Sequence, residues 1–211
     1  MHEEKETGRI EAFSDGVFAV AITLLVLDIK VPTFQAGNLH FSLAHEMIAQ
    51  WPSYLAFATS FLTILIMWIN HHRIFGLIRR SDDRFMMLNG LLLMCVTVVP
   101  FSTALLAAYI LHPGARLATL IYGGTSLLMA LCFNSLWNYA SQGGHLLANN
   151  HDPHVVAGIT KTYRYGPFLY LVVFLLGFVS VAASIGLSML LAIYFTIPPR
   201  RHAVGALRRG S

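Results

Sequence analysis

Long apolar runs recur along this chain with only short polar breaks between them, and that repetition limits its fold more than any single motif. The hydrocarbon core of a bilayer, about 30 Å thick, takes roughly 20 apolar residues per helix. No water is available there to bond the backbone, so a run of that length must be helical. The runs fall at 13–29, 54–75, 85–111, 117–139, 167–181 and 184–197. Residues 167–197 make too long a stretch for one comfortable span, yet each half is short, so a break is expected at Ser184-Ile185-Gly186. Small residues Gly177, Ala182, Ala183 and Gly186 would then let the two halves pack as a tight hairpin. The expected fold is an all-α integral membrane protein with six transmembrane helices per subunit, covering 1–199, followed by a basic tail at 200–211.

Composition agrees with that solvent. Charged residues make up 11% of the chain and apolar residues 56%, whereas a soluble domain carries roughly 25% charged residues. The spans and their loops use nearly all of the residues, which leaves no room for a soluble domain. The two cysteines, Cys95 and Cys132, lie inside apolar runs, where an isolated thiol behaves as a small hydrophobe, so neither a disulfide framework nor a cysteine metal site is expected. The first apolar run lacks a small-residue cleavage site and reads as a retained helix rather than a signal peptide.

Basic residues set the orientation, because loops rich in Lys and Arg stay cytoplasmic. With six spans and both termini cytoplasmic, only Lys30 and Arg116 of the 14 Lys and Arg fall outside. An odd number of spans would expose the tail arginines Arg200, Arg201, Arg208 and Arg209, so charge supports the even count. The cytoplasmic tail is placed to touch anionic membrane lipids, at about 1 kcal/mol per basic residue near the surface. Arginine pairs beside a span are ordinary orientation signals, and no nucleic-acid partner is expected. In the outer loop 31–53, Leu43, Met47 and Ile48 have helical spacing and predict a short interfacial helix.

Polar residues inside spans are costly and need partners or water. Arg9 and Asp15 flank the start of the first span, His71 and His72 end the second, Asn89 begins the third, and Asp28 closes the first on the outer side. The antiparallel topology brings the first three groups to one depth, the inner leaflet, which predicts a network between helices. Arg9 and Asp15 are separated by about 9 Å of rise and about 240° of rotation, so each must seek partners on other helices. Asp15 could accept from Asn89, Trp68 or a histidine. Simple capping by Ser14 and Asp15 is the alternative for that end of the helix. Adjacent histidines point about 100° apart and rarely bind one metal, so no metal site and no cofactor are expected at His71-His72.

On the first span, Val20, Thr23, Leu24 and Leu27 share one face. Periodicity alone leaves lipid, a packed seam and a pore wall open. Asp28 opposes the dipole at the helix C-terminus, which suggests either a cap to the outer loop or a role in drawing cations to an outer mouth.

Arg9-x-x-x-Phe13-Ser14-Asp15, then Gly16 and Ala19-Val20-Ala21-Ile22-Thr23-Leu24, resembles the signature of the transmembrane protein 175 potassium channels. Trp68-x-Asn70-His71-His72, Leu88-Asn89 and Pro100-Phe101-Ser102-Thr103 reinforce the likeness, which is specific from Arg9 to about Thr103. The resemblance implies a homotetramer in a prokaryotic plasma membrane, with the first helix of each subunit lining a central pore that conducts K+ and needs no carbonyl selectivity filter. It implies a constriction at Val20, Leu24 and Leu27, potassium preference from the Thr23 hydroxyl, and a structural network of Arg9, Phe13, Ser14, Asp15, Trp68, Asn70, His71 and Asn89. Moderate selectivity over sodium and no enzymatic activity follow from the same likeness.

Two other classes compete. A proton-coupled secondary transporter would use Asp15, His71 and His72 as a relay, but prefers polar groups and broken helices at mid-membrane. A membrane metalloenzyme would need His71, His72, Asp82, Asp83, His145, His151 and His154, whose spacings match no zinc pattern; Asp82-Asp83 reads more simply as a charged turn.

Overall fold

A computed structural model describes residues 2–33, 42–148 and 152–196. Its described residues form an all-helical bundle: α1 (His2–Leu24), α2 (Leu43–Ala49), α3 (Trp51–Phe75), α4 (Asp83–Tyr109), α5 (Ala115–Ser141), α6 (Pro153–Val179) and α7 (Val181–Thr196). Five segments, Thr7–Asp28, Trp51–Phe75, Asp83–Tyr109, Ala115–Gly144 and Pro153–Val179, are long and apolar enough to cross a membrane; α7 is a shorter apolar helix. The basic tail 200–211 and the outer-loop residues 34–41 lie outside the described residues. Leu43, Met47 and Ile48 sit on α2 and are exposed, as the helical spacing in that loop predicts.

Helix α1 starts well before residue 13, because Glu, Lys and Arg are good helix formers whatever their polarity, and an apolar run marks only the part that needs the bilayer. Its other end tightens into a 3-10 turn, Leu25–Asp28, where the Lys30 ammonium donates to the Leu27 carbonyl at 3.0 Å. A cation there complements the negative end of the helix.

The larger difference is α6. Pro167 looks like a helix start, and 153–166 is too polar to count as a span. The helix nevertheless starts at Pro153, capped by Asp152, whose carboxylate accepts from the His154 amide at 2.8 Å; Pro167 lies inside it. An internal proline deprives the carbonyl four residues earlier of its donor. That carbonyl belongs to Tyr163, and the Asn134 side-chain amide of α5 donates to it at 2.8 Å. The interruption in α6 is thereby repaired from a neighbouring helix.

The break between α6 and α7 falls at Ser180 rather than at 184–186. Ser180 adopts extended backbone angles, φ −149° and ψ 118°, and its hydroxyl accepts from the Ala183 amide at 3.2 Å, an N-cap for α7. Ser184 is already helical and buried, and donates across the hairpin to the Val173 carbonyl at 2.8 Å. Gly177 serves a different contact from the expected one: it lies against Leu120 and Thr119 of α5, while Ala182, Ala183 and Gly186 are exposed.

Helices α4, α5 and α6 pack most extensively, α4 on α5 and α5 on α6, with α3 against α1, α4 and α7. Phe18 of α1, Leu25 of the 3-10 turn that follows it, Ile64 and Phe75 of α3, Phe85 and Leu92 of α4, and Trp137 of α5 contribute to one buried core. At one end of the bundle the loop after α3 pairs with the loop after α5: the Arg79 amide donates to the Leu146 carbonyl at 2.9 Å and the Ala148 amide to the Leu77 carbonyl at 3.0 Å. The chain turns into that pairing through Gly143 and Gly144, with φ of 66° and 68°, which side chains beyond hydrogen disfavour. Beside it, Asp82 caps α4 by accepting from the Phe85 amide at 2.8 Å and ties α4 to α5 by accepting from the Tyr139 hydroxyl at 2.7 Å.

Candidate functional site: the outward face of α1 and its anchor

Successive residues of a helix turn by about 100°. Ser14, Phe18 and Ala21 of α1 and Leu25 of the turn that continues it consequently share one arc, and all four are buried against the bundle. Val20, Thr23, Leu24 and Leu27 occupy the opposite arc and are exposed, Val20 at 57% and Leu27 at 63%. Phe13 and Gly16 extend the exposed arc toward the N-terminus. The Thr23 hydroxyl donates to the Val20 carbonyl at 2.9 Å, which uses its hydrogen and leaves its lone pairs directed away from the helix backbone. Asp28 is half-buried at the end of the face, close enough to Lys30 for the two charges to interact.

A directional hydrogen-bond chain seats the other side of α1. The Ser14 hydroxyl donates to the Ile10 carbonyl at 2.8 Å, so its oxygen is left to accept; the Asn89 side-chain amide of α4 donates to it at 3.0 Å. That fixes the orientation of Asn89 and leaves its carbonyl oxygen facing His71 Nε2 at 2.9 Å. The acceptor role of this oxygen puts the proton of neutral His71 on Nε2. Nδ1 is buried without a hydrogen-bond partner, and the ring stacks on Phe75 at 4.3 Å, with Phe18 5.3 Å away. His71 is fully buried. Next to this chain, the Trp68 indole N–H donates to Asp15 Oδ1 at 2.8 Å.

The expected residues thus divide. Ser14, Asp15, Trp68, His71 and Asn89 converge as the topology of the spans predicts. Asn70 stands at the edge, accepting from the Tyr163 hydroxyl at 3.2 Å and from Arg73 at 3.5 Å. Arg9 and Phe13 do not join: both are exposed within the single chain, because their helical phase matches that of Val20 rather than that of Ser14. Asp15, His71 and His72 take separate partners, His72 pairing with Glu11 at 2.8 Å, and among the described residues no direct hydrogen bond joins the three. The Tyr163 link to Asn70 and the Glu11 link to His72 escape sequence reasoning, since neither Tyr163 nor Glu11 lies in an apolar-run signal. Of the histidines and aspartates considered for a metal, Asp82 caps a helix and His145 bonds the Gln142 carbonyl, while His151 lies outside the described residues.

The family model described as endosomal/lysosomal potassium channel TMEM175 matches residues 9–100, the segment that carries both faces of α1 and its anchor. A potassium channel of Chamaesiphon minutus is 57% identical over 195 residues, covering 92% of this chain and 96% of its own length. The chain belongs to the TMEM175 family. A crystal structure of a TMEM175 homologue from Chamaesiphon minutus, described as a lysosomal potassium-selective channel, has a TM-score of 0.82 at 55% identity, over 91% of this chain and 97% of that one. Human TMEM175, named as an endosomal/lysosomal proton channel, is 33% identical over 146 residues, 66% of this chain and 29% of its own length. TMEM175 proteins are channels rather than enzymes, and this chain is a multi-pass integral membrane protein of that family.

Proposed function

We propose that the chain is a potassium channel, moderately selective over sodium, assembled as a homotetramer in a prokaryotic plasma membrane with both termini cytoplasmic. The carrying observation is the two-sidedness of α1: one arc is locked into the bundle, and the opposite arc, Val20, Thr23, Leu24 and Leu27, is exposed. Hydrocarbon would accept the apolar members of that arc. A shared aqueous axis fits the whole face better, because it also gives water to the Arg9 charge, which shares their phase, and to the outward Thr23 oxygen.

Around that axis, rings of Val20, Leu24 and Leu27 form a neck narrow enough to dewet and close. The Thr23 ring supplies oxygen lone pairs to an ion that has shed part of its water. Neutral hydroxyls compensate dehydration weakly, which favours potassium, the more easily dehydrated ion, and keeps the preference moderate. No cofactor enters this mechanism. The names of the bacterial relatives support potassium as the permeant ion. The inward chain Ser14–Asn89–His71 holds the pore helix in register.

Purified protein in a planar bilayer, with potassium on one side and sodium on the other, tests this reading. The reversal potential should move toward that of potassium, and Val20→Ala should raise the leak and reduce the shift. Conductance and selectivity unchanged in Val20→Ala would reject the neck, and saturable, coupled flux in liposomes would reject a channel.

A further inference from the structure

The chain has two cysteines, and they face each other: Cys95 Sγ of α4 lies 3.8 Å from Cys132 Sγ of α5, within hydrogen-bonding range of a thiol. Cys95 sits midway along α4, and Cys132 about two-thirds of the way along α5. Cys95 is about 18 Å of helical rise from Asp83, and Cys132 is about 14 Å from Ser141. Cys95 is buried and Cys132 is half-buried. The channel reading gives neither thiol a role.

Pairing across the two most extensively packed helices limits what can reach the sulfurs. Charged thiol reagents and hydrophilic disulfides do not enter the hydrocarbon layer. Neutral peroxides do. To become a disulfide, the sulfurs must approach by roughly 1.8 Å, from contact to the bonded length of about 2.05 Å. Side-chain rotation supplies part of that, and no third cysteine competes for either partner.

The geometry points to Cys95 and Cys132 as an oxidisable pair that an apolar hydroperoxide closes into a disulfide, stapling α4 to α5 within one chain. Cys132, the more accessible, reacts first. Its sulfur attacks the terminal peroxide oxygen; the O–O bond breaks, the thiol proton leaves with the alkoxide as an alcohol, and Cys132 becomes a sulfenic acid. The Cys95 sulfur then attacks the Cys132 sulfur; the S–O bond breaks, and hydroxide leaves with the Cys95 proton as water. Two thiols are oxidised by two electrons in total, and one hydroperoxide is reduced to one alcohol and one water. The staple ties down α4, the helix whose Asn89 seats α1.

Full-length protein in lipid vesicles, treated with cumene hydroperoxide and mapped by peptide mass spectrometry without reduction, is the test. The expected product is a single intrachain link between the Cys95 and Cys132 peptides, lost on adding dithiothreitol, with no link formed by an equal dose of oxidised glutathione. Cys95→Ser should stop at the first step, with dimedone added after the protein is denatured trapping a sulfenic acid at Cys132; Cys132→Ser should form no intrachain link. Disulfides between separate chains, irreversible oxidation of each thiol without a link, or no oxidation of either thiol would each overturn the proposal.

Discussion

Asn89 of α4 donates to the Ser14 hydroxyl of α1 at 3.0 Å while its carbonyl oxygen sits 2.9 Å from His71 of α3, so one side chain joins three helices. Each partner has a single free valence in the right direction: Ser14 has used its proton on Ile10, and neutral His71 presents Nε2–H. In a bilayer, apolar burial gives little drive for helix association, because lipid is as apolar as the core, and packing together with interhelical hydrogen bonds carries more of the specificity.

Replacing Asn89 with leucine keeps the branching of the side chain and removes both bonds. The His71 ring would stay buried without a hydrogen-bond partner, and the Ser14 oxygen would keep its bond to Ile10 but lose its donor. A loss of about 1–2 kcal/mol is expected, read as a lower melting temperature of the detergent-solubilised protein. His71→Leu in the same background should then cost less than it does alone, because its partner is already gone.

The exposed Thr23 hydroxyl separates size from chemistry in the proposed neck. Thr23→Val has nearly the same shape and no oxygen, while Thr23→Ser keeps the oxygen and loses a methyl group. The potassium-to-sodium permeability ratio, from reversal potentials, should fall toward unity in Thr23→Val and persist in Thr23→Ser. An unchanged ratio in Thr23→Val would show that the hydroxyl does not select.

How much of this was legible from residues alone depends on which physical signal each part carries. The spans and the buried polar cluster are legible because hydrocarbon imposes length, and antiparallel helices bring the polar ends of consecutive spans to one depth. Ser14, Asp15, Trp68, His71 and Asn89 follow from that argument. Arg9 and Phe13 share their depth but not their face, and depth alone cannot report helical phase. The start of α6 is illegible for another reason: Pro167 imitates a first-turn proline, and only the Asn134 amide on another helix makes an internal proline tolerable. The Ser180 break hides as well, since a serine cap inside an apolar run looks like any other small residue.

That repair of Pro167 can be tested directly. Asn134→Leu should leave the Tyr163 carbonyl without a donor and cost about 1–2 kcal/mol, again read as melting temperature. Pro167→Ala restores the backbone amide, so the double variant should recover most of the loss. Failure of Pro167→Ala to rescue Asn134→Leu would show that the side chain acts elsewhere.

Asp82 gives the fold an acid sensitivity of defined sign. The Tyr139 hydroxyl first, and then the Phe85 amide, hold its carboxyl below its ordinary value of 3.8. The folded state therefore gives up the proton more readily than the unfolded state does. The cap's contribution is complete above the ordinary value and is lost as pH falls below it through the lower folded value. Melting temperature measured from neutral pH downward should decline in that acid window, and the part of the slope due to Asp82 should vanish in Asp82→Asn, which still caps through its carbonyl oxygen. An identical acid slope in Asp82→Asn would assign the sensitivity to other groups.

Two adjacent glycines of α5 provide a control within one contact. A Cβ added at Gly123 would lie 3.3 Å from the Phe174 Cα of α6, whereas one added at Gly124 would meet only the Phe174 ring, at 3.5 Å. A ring can tilt, but a backbone atom moves only with its helix, so Gly123→Ala must push α6 away while Gly124→Ala need not. Overpacking of this kind costs about 1–3 kcal/mol, and removing a helical glycine gains up to about 1 kcal/mol in water. Gly123→Ala should lower the melting temperature and Gly124→Ala should leave it unchanged or raise it. Equal effects at the two positions would mean that the close approach of α5 and α6 is not what Gly123 provides.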